Sequence, residues 1–209
     1  MRQALLVLLL FCAVFRFQDE KIILFLGDSL SAGFGLDVAE AFPSLIQEKI
    51  RRENLPFTVV NAGVSGETTA GGLRRMDWLL KRRIDVLVIE LGGNDGLRGI
   101  EPSETEKNLQ GIIDKMRAHN PDATIVLAGM QAPPNMGKEY AEKFRAVFPT
   151  ISKRNRIPLI PFLLEGVAGN PKLNLPDGIH PTAEGHQIVA ETVWKTLKPV
   201  LLNAQSSKR

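Results

Sequence analysis

The sequence has a single cysteine, Cys12. One thiol excludes an intrachain disulfide and a cysteine-based zinc cluster. Charge of either sign is also scarce in excess. The 26 Lys and Arg against 23 Asp and Glu leave +3. That is too little to argue for a nucleic-acid partner, although the pI of 9.1 leans basic. The 18 Gly and 13 Pro follow no period, which excludes collagen-like repeats. Internal repeats, linkers and low-complexity stretches are lacking too, and no His, Asp or Glu cluster has the spacing of a metal site. The one extended apolar run, Ala4 to Phe15, is shorter than the ~20 residues a membrane-spanning helix needs. What is there is ordinary globular composition, 44% hydrophobic and 23% charged over 209 residues, enough for one domain with its own core.

The apolar run follows Arg2 and ends at Arg16. A charged start before a short apolar stretch reads as a secretory leader over residues 1–18, although no Ala-x-Ala cleavage pattern follows. Cys12 reads as an apolar residue of that leader, because Phe11 is too large for a lipoprotein signal. Removal of the leader leaves a mature chain without thiols, which suits an exported protein in the periplasm or outside the cell. The domain then spans residues 19–204, followed by a polar tail at 205–209.

Within the domain, apolar runs of strand length alternate with helical stripes. The runs are 21–26, 57–61, 84–91, 124–128 and 157–162. They are continuous rather than alternating, as buried parallel strands are. Stripes through Phe42–Ile50, Leu73–Leu80, Leu109–Met116, Tyr140–Ile151 and Ile188–Leu197 predict helices, with Pro149 expected to kink or interrupt the fourth. The alternation predicts a doubly wound α/β fold of the flavodoxin-like kind, a five-stranded parallel sheet with helices on both faces. Right-handed crossovers place every strand C-terminus at one edge, where ligands of such sheets bind.

The loops expected at that edge carry specialised residues. Gly27-Asp28-Ser29-Leu30 follows the first strand, Asn61-Ala62-Gly63 the second, Gly92-Gly93-Asn94-Asp95 the third, Ala132-Pro133-Pro134-Asn135-Met136-Gly137 the fourth and Asp177-Gly178-Ile179-His180-Pro181 the fifth. Brought together, they suit acyl transfer. Ser29 is a candidate nucleophile and needs a base to take its proton. His180 can serve near neutral pH, and Asp177, three residues earlier, can fix its tautomer. The oxyanion of a tetrahedral intermediate needs preorganised donors, each worth about 10²–10³ in rate. The N–H of Ser29, the N–H of Gly63 and the side-chain amide of Asn94 are the candidates. Gly63 is expected to let the backbone approach the substrate without a Cβ in the way. This chemistry requires no metal and no cofactor.

At these residues the sequence resembles the GDSL esterase family, also called SGNH hydrolases. The blocks Gly27-Asp28-Ser29-Leu30, Asn61-Ala62-Gly63, Gly92-Gly93-Asn94-Asp95 and Asp177-Gly178-Ile179-His180-Pro181 stand in the family's order, over roughly residues 21–202. Within the family the chain looks most like the bacterial periplasmic acyl-CoA thioesterase, lysophospholipase and arylesterase group. The resemblance implies Ser29 as nucleophile, His180 as base, Asp177 as its partner, and Gly63 and Asn94 in the oxyanion hole. It also implies that residues 132–137 form a mobile cover over a bound acyl chain, and a small-molecule ester or thioester as the substrate.

Other readings stand beside this one. Asp28 and Asp95 suit loop-holding roles. His119 sits where a cation suits a helix C-terminus, and His186 lacks an acidic loop partner, so both read as structural or solvated. Met130, Met136, Leu163 and Leu164 suit either an acyl pocket or ordinary packing. Arg51-Arg52, Arg74-Arg75 and Arg82-Arg83 read as solvated helix faces. A nucleotide-binding module would use the glycine-rich loop for phosphate, but Gly27 to Gly35 matches neither Gly-x-Gly-x-x-Gly nor a Gly-Lys-Ser/Thr loop. A non-catalytic binder of acyl chains would have no need of the full set Ser29, Asn94, Asp177 and His180.

Overall fold

The computed structural model describes residues 20–206. The leader read in residues 1–18 and the last three residues lie outside the described residues. Five strands form one parallel sheet: β1 (Lys21–Gly27), β2 (Phe57–Asn61), β3 (Val86–Glu90), β4 (Thr124–Ala128) and β5 (Leu159–Ile160), in the order β2-β1-β3-β4-β5. Leu24 pairs with Val60 on one side and Leu87 on the other. The residues from Ile23 to Leu26 and Val86 to Ile89 are shut off from solvent, which is why both runs are apolar without alternation.

The helices are α1 (Ser29–Ala32), α2 (Phe42–Arg52), α3 (Thr69–Leu79), α4 (Gly93–Leu97), α5 (Pro102–His119), α6 (Lys138–Asn155) and α7 (Ala183–Ser206). α2 packs on α7, and α3, α5 and α6 stand side by side as a second layer. Right-handed crossovers assign the two groups to opposite faces of the sheet. The chain leaves β1 toward one edge and returns through β2 to β3 on the other side. The gap between β1 and β3 is therefore the point where strand order reverses, the usual seat of a ligand in such sheets.

Three local expectations change. α6 is continuous through Pro149, and α7 is continuous through Pro199. Pro149 and Arg145, whose carbonyl loses its N–H partner, are both exposed, so water can serve that carbonyl. β5 is reduced to Leu159–Ile160 because Pro158 and Pro161 bracket it and neither offers an N–H to a ladder. α7 takes in Gln205 and Ser206, the start of the expected tail.

Candidate active site

The turn after β1 is built tightly. Asp28 caps α1, its carboxylate accepting the Leu30 N–H at 2.9 Å, and Gly33 closes the helix in the left-handed region at φ 74°. A Cβ at Gly27 would lie 2.1 Å from the Ser31 hydroxyl oxygen. Ser29 opens the helix, so its N–H has no partner within it.

The loop before α7 folds back on itself. An antiparallel bridge joins Asn174 and Pro181, the Leu175 N–H donates to the His180 carbonyl at 2.7 Å, and Gly178 turns the chain at φ 70°. Asp177 sits inside this turn and accepts the backbone N–H groups of Ile179 (2.9 Å) and His180 (3.0 Å) on Oδ1. Its Oδ2 is 2.7 Å from Nδ1 of His180, and Nε2 of His180 is 2.9 Å from Oγ of Ser29. The bonds from His180, backbone first, and from Ile179 hold the Asp177 carboxyl down at about 2. An ionised Asp177 accepts from Nδ1–H, which leaves the Nε2 lone pair facing the Ser29 hydroxyl. Phe34 covers the His180 ring, with centroids 4.4 Å apart and planes tilted by 34°.

Asn94 comes from α4 at the end of β3, directed by Gly92 at φ 118°. Its amide donates to Oδ2 of Asp28 at 3.1 Å. The Gly63 N–H donates to Oδ1 of its neighbour Asn61 at 2.9 Å, and the Asn61 amide donates in turn to the Ser31 carbonyl at 2.7 Å. A Cβ on Gly63 would stand 2.4 Å from the Ala32 nitrogen and 2.9 Å from the Asp28 carbonyl. Gly63 is thus glycine because the β2 loop presses on the backbone of the Ser29 turn. That corrects the expected reason, an approach to substrate.

Buried carboxyls underlie this layer. Glu90, at the end of β3, is fully buried, and its Oε2 accepts from the Ser31 hydroxyl (2.6 Å) and from the N–H groups of Asp28 and Ser31 (3.2 Å each). Burial, and next the negative charge of Asp28, pushes its carboxyl well above the usual range. Burial likewise pushes the Asp28 carboxyl up to about 6, against the bonds from Leu30 and Asn94. Asp95 accepts the Thr69 N–H at the start of α3 and the hydroxyls of Thr69 and Thr105. Among the described residues no group of three His, Cys, Asp or Glu is placed to hold a metal ion.

Above Ser29 opens a cleft of about 890 Å³. Met130, Ala132, Pro133, Met136, Phe162 and Leu164 supply much of its apolar wall. The GDSL-like lipase/acylhydrolase family model matches residues 25–188, which takes in the Ser29 turn, Asn94 and His180. The chain belongs to the GDSL-like lipase/acylhydrolase family. It is similar to esterase TesA of Pseudomonas aeruginosa, 43% identical over 182 residues, 87% of this chain and 90% of that one. It is 38% identical over 195 residues to thioesterase 1/protease 1/lysophospholipase L1 of Escherichia coli, covering 93% of this chain and 91% of that one. Among solved structures, the psychrotrophic esterase EstA from a Pseudoalteromonas species, inhibited by monoethylphosphonate, superposes with a TM-score of 0.81 at 35% identity, over 87% of this chain and 98% of that one.

In this GDSL-family chain the tertiary structure brings Ser29, Asp177, His180 and Asn94 together, with Gly63 packed behind the Ser29 turn. Of residues 132–137, Ala132 to Met136 line the cleft, whereas Gly137 stands past it at the N-cap of α6. Met130 and Leu164 line the cleft as well, and Leu163 does not, being wholly buried in the core. His186 is structural and not solvated. Its Nδ1 accepts the Phe42 N–H at 3.2 Å, and burial, with a smaller contribution from His180, lowers its pKa to about 4. Arg75 is not a solvated face: it donates to the Ala62 carbonyl at 2.8 Å and pairs with Glu67. Two residues of the site escaped the sequence reading, Glu90 and Phe34. The signal for Glu90 was a carboxylate inside a continuous apolar strand run.

Proposed function

We propose that this hydrolase cleaves carboxylic esters and thioesters through an acyl-enzyme on Ser29. The observation that carries the reading is the unbroken line from Asp177 Oδ2 through His180 to Ser29 Oγ, at 2.7 and 2.9 Å. Oγ attacks the acyl carbon and its proton passes to Nε2 of His180. The carbonyl oxygen becomes an oxyanion that faces the Ser29 N–H and the second hydrogen of the Asn94 amide. Gly63 joins them if its N–H is shared with Asn61. The intermediate collapses, and the proton on Nε2 goes to the departing alcohol or thiol. Water then attacks the acyl-enzyme, giving its proton to Nε2, and the acid leaves as Ser29 regains its hydrogen. Membership of the family and the apolar cleft support this reading.

The test is a pair of measurements. Ser29→Ala is expected to lower hydrolysis of a short-chain aryl ester by at least about 10³-fold. A phosphonate is expected to add one label, on Ser29, in the unmodified protein. Activity near wild type in Ser29→Ala would overturn the assignment. The leader reading extends the proposal to export: protein recovered from a periplasmic extract should begin after about residue 18. Intact residues 1–18 on that material would refute it. Among the described residues no helix is long and apolar enough to cross a membrane.

A further inference from the structure

Phe34 is an oddly placed side chain. It is 48% exposed, one of seven large apolar side chains so exposed among the described residues, so the core gains little from it. The backbone holds it there firmly. It stands between Gly33 and Gly35, both in the left-handed region, and its N–H donates to the Ser29 carbonyl at 3.0 Å. Added Cβ atoms at the two glycines would each come within 2.7 Å of a neighbour, Ala41 and Leu175 respectively. The turn therefore presents Phe34 to the cleft, with one part of its ring on His180 and the rest open.

We infer that Phe34, with Ile179 beside His180, forms the side of the cleft that receives the leaving group, and that it selects flat aromatic alcohols and thiols over small alkyl ones. This deepens the function proposed above and rests on the roles given there to Ser29 and His180. Nε2 must hand its proton to the departing oxygen or sulfur, so that atom starts within hydrogen-bond reach of the imidazole. Whatever is bonded to it lies next to the residues flanking that ring. Phe34 flanks it at 4.4 Å, and Ile179, 41% exposed, precedes it in the chain. An aryl leaving group can stack on the open part of the Phe34 ring, whereas a methyl or ethyl group is too small to cover it. The acyl chain is left the opposite wall, with Met130, Pro133, Met136 and Leu164.

The experiment compares the phenyl and ethyl esters of one acid by kcat/KM, which reports acylation, the step in which the leaving group departs. The intrinsic difference in reactivity between the esters cancels when variants are compared. Phe34→Ala is expected to lower the phenyl-over-ethyl ratio on the order of tenfold, and Phe34→Tyr to keep it. Phe34→Leu, which retains apolar bulk without a flat face, should fall with alanine and serves if the alanine variant is poorly folded. A residue that only props His180 would act in the opposite sense, since ethoxide needs its proton more than phenoxide does. An unchanged or rising ratio therefore overturns the inference. Phosphonate labelling separates the two readings. Labelling at Ser29 with an unmoved ratio sinks the role of Phe34 alone, whereas no labelling of the unmodified protein sinks the serine mechanism and this inference with it.

Discussion

The floor and the wall of the cleft are built on opposite plans. Beneath Ser29 the groups are polar, buried and joined by hydrogen bonds: Glu90 to the Asp28–Ser31 turn, Asp28 to Asn94, Asp95 to Thr69 and Thr105. Across the opening, residues 132–136 form a proline-rich edge with a single 3₁₀ turn at Pro134–Met136 and apolar side chains facing the cleft. The floor holds its atoms by short directional bonds, the kind of positioning that proton transfer and oxyanion binding require. The wall needs only to exclude water from an acyl chain, and contacts of that kind tolerate movement. Rigid chemistry and adaptable binding are thus separated in space, with His180 and Phe34 at the seam.

Breaking the floor should have the largest consequence. Glu90→Ala leaves two backbone N–H groups and the Ser31 hydroxyl without their buried acceptor. A loss of about 3 kcal/mol in a urea titration is expected, with a fall in kcat as the Ser29 turn loosens. Glu90→Gln keeps an oxygen for those donors and should cost about 1 kcal/mol. An alanine variant as stable as the parent would show that the carboxyl does not hold the turn.

A comparable effect is expected from acid at His186. This group is held neutral to about 4, against 6.5 when free. The unfolded chain binds its proton first, so the stability it contributes is complete above pH 6.5 and is lost as pH falls toward 4, by on the order of 3 kcal/mol. Asp28 has the opposite sign. Its folded carboxyl binds a proton near 6 rather than 3.8, which adds stability as pH falls through that window. His186→Asn retains an acceptor for Phe42 and cannot titrate, so on acidification its stability should rise relative to the parent's, the buried carboxyls of Asp28 and Glu90 acting alike in both. Parallel curves for the two proteins between pH 6.5 and 4 would refute this account.

Changing the wall should do least to stability. Met136→Ala is expected to cost under about 1 kcal/mol, because the side chain is half-buried. It should lower kcat/KM for long-chain esters a few-fold relative to short ones, read from a chain-length series. A shift in stability as large as that of Glu90→Ala would erase the contrast between floor and wall.

Much of this was legible in the sequence. The strand runs, the order of the catalytic blocks and the parallel class follow from apolar continuity and turn residues, which are local properties. Pro149 does not interrupt α6, because the carbonyl it frees on Arg145 is open to water, and burial is not a local property of sequence. Leu163 and Leu164 are adjacent and equally apolar, yet one faces the core and the other the cleft. The reason for Gly63 also lay elsewhere, in the backbone of α1.

The two histidines of the last segment state the division most clearly. His180 and His186 are the same residue type a short distance apart, and sequence could favour the first only because Asp177 stands in its turn. By itself the sequence determined which chemical groups are present, which sit at strand ends and which stretches must be buried. Tertiary structure decided that Ser29 lies 2.9 Å from His180, that Glu90 is walled in beneath them and that Phe34 remains half open. Distances between residues remote in the chain, and the burial that tunes their charge, arise only when the sheet and its covering helices close around them.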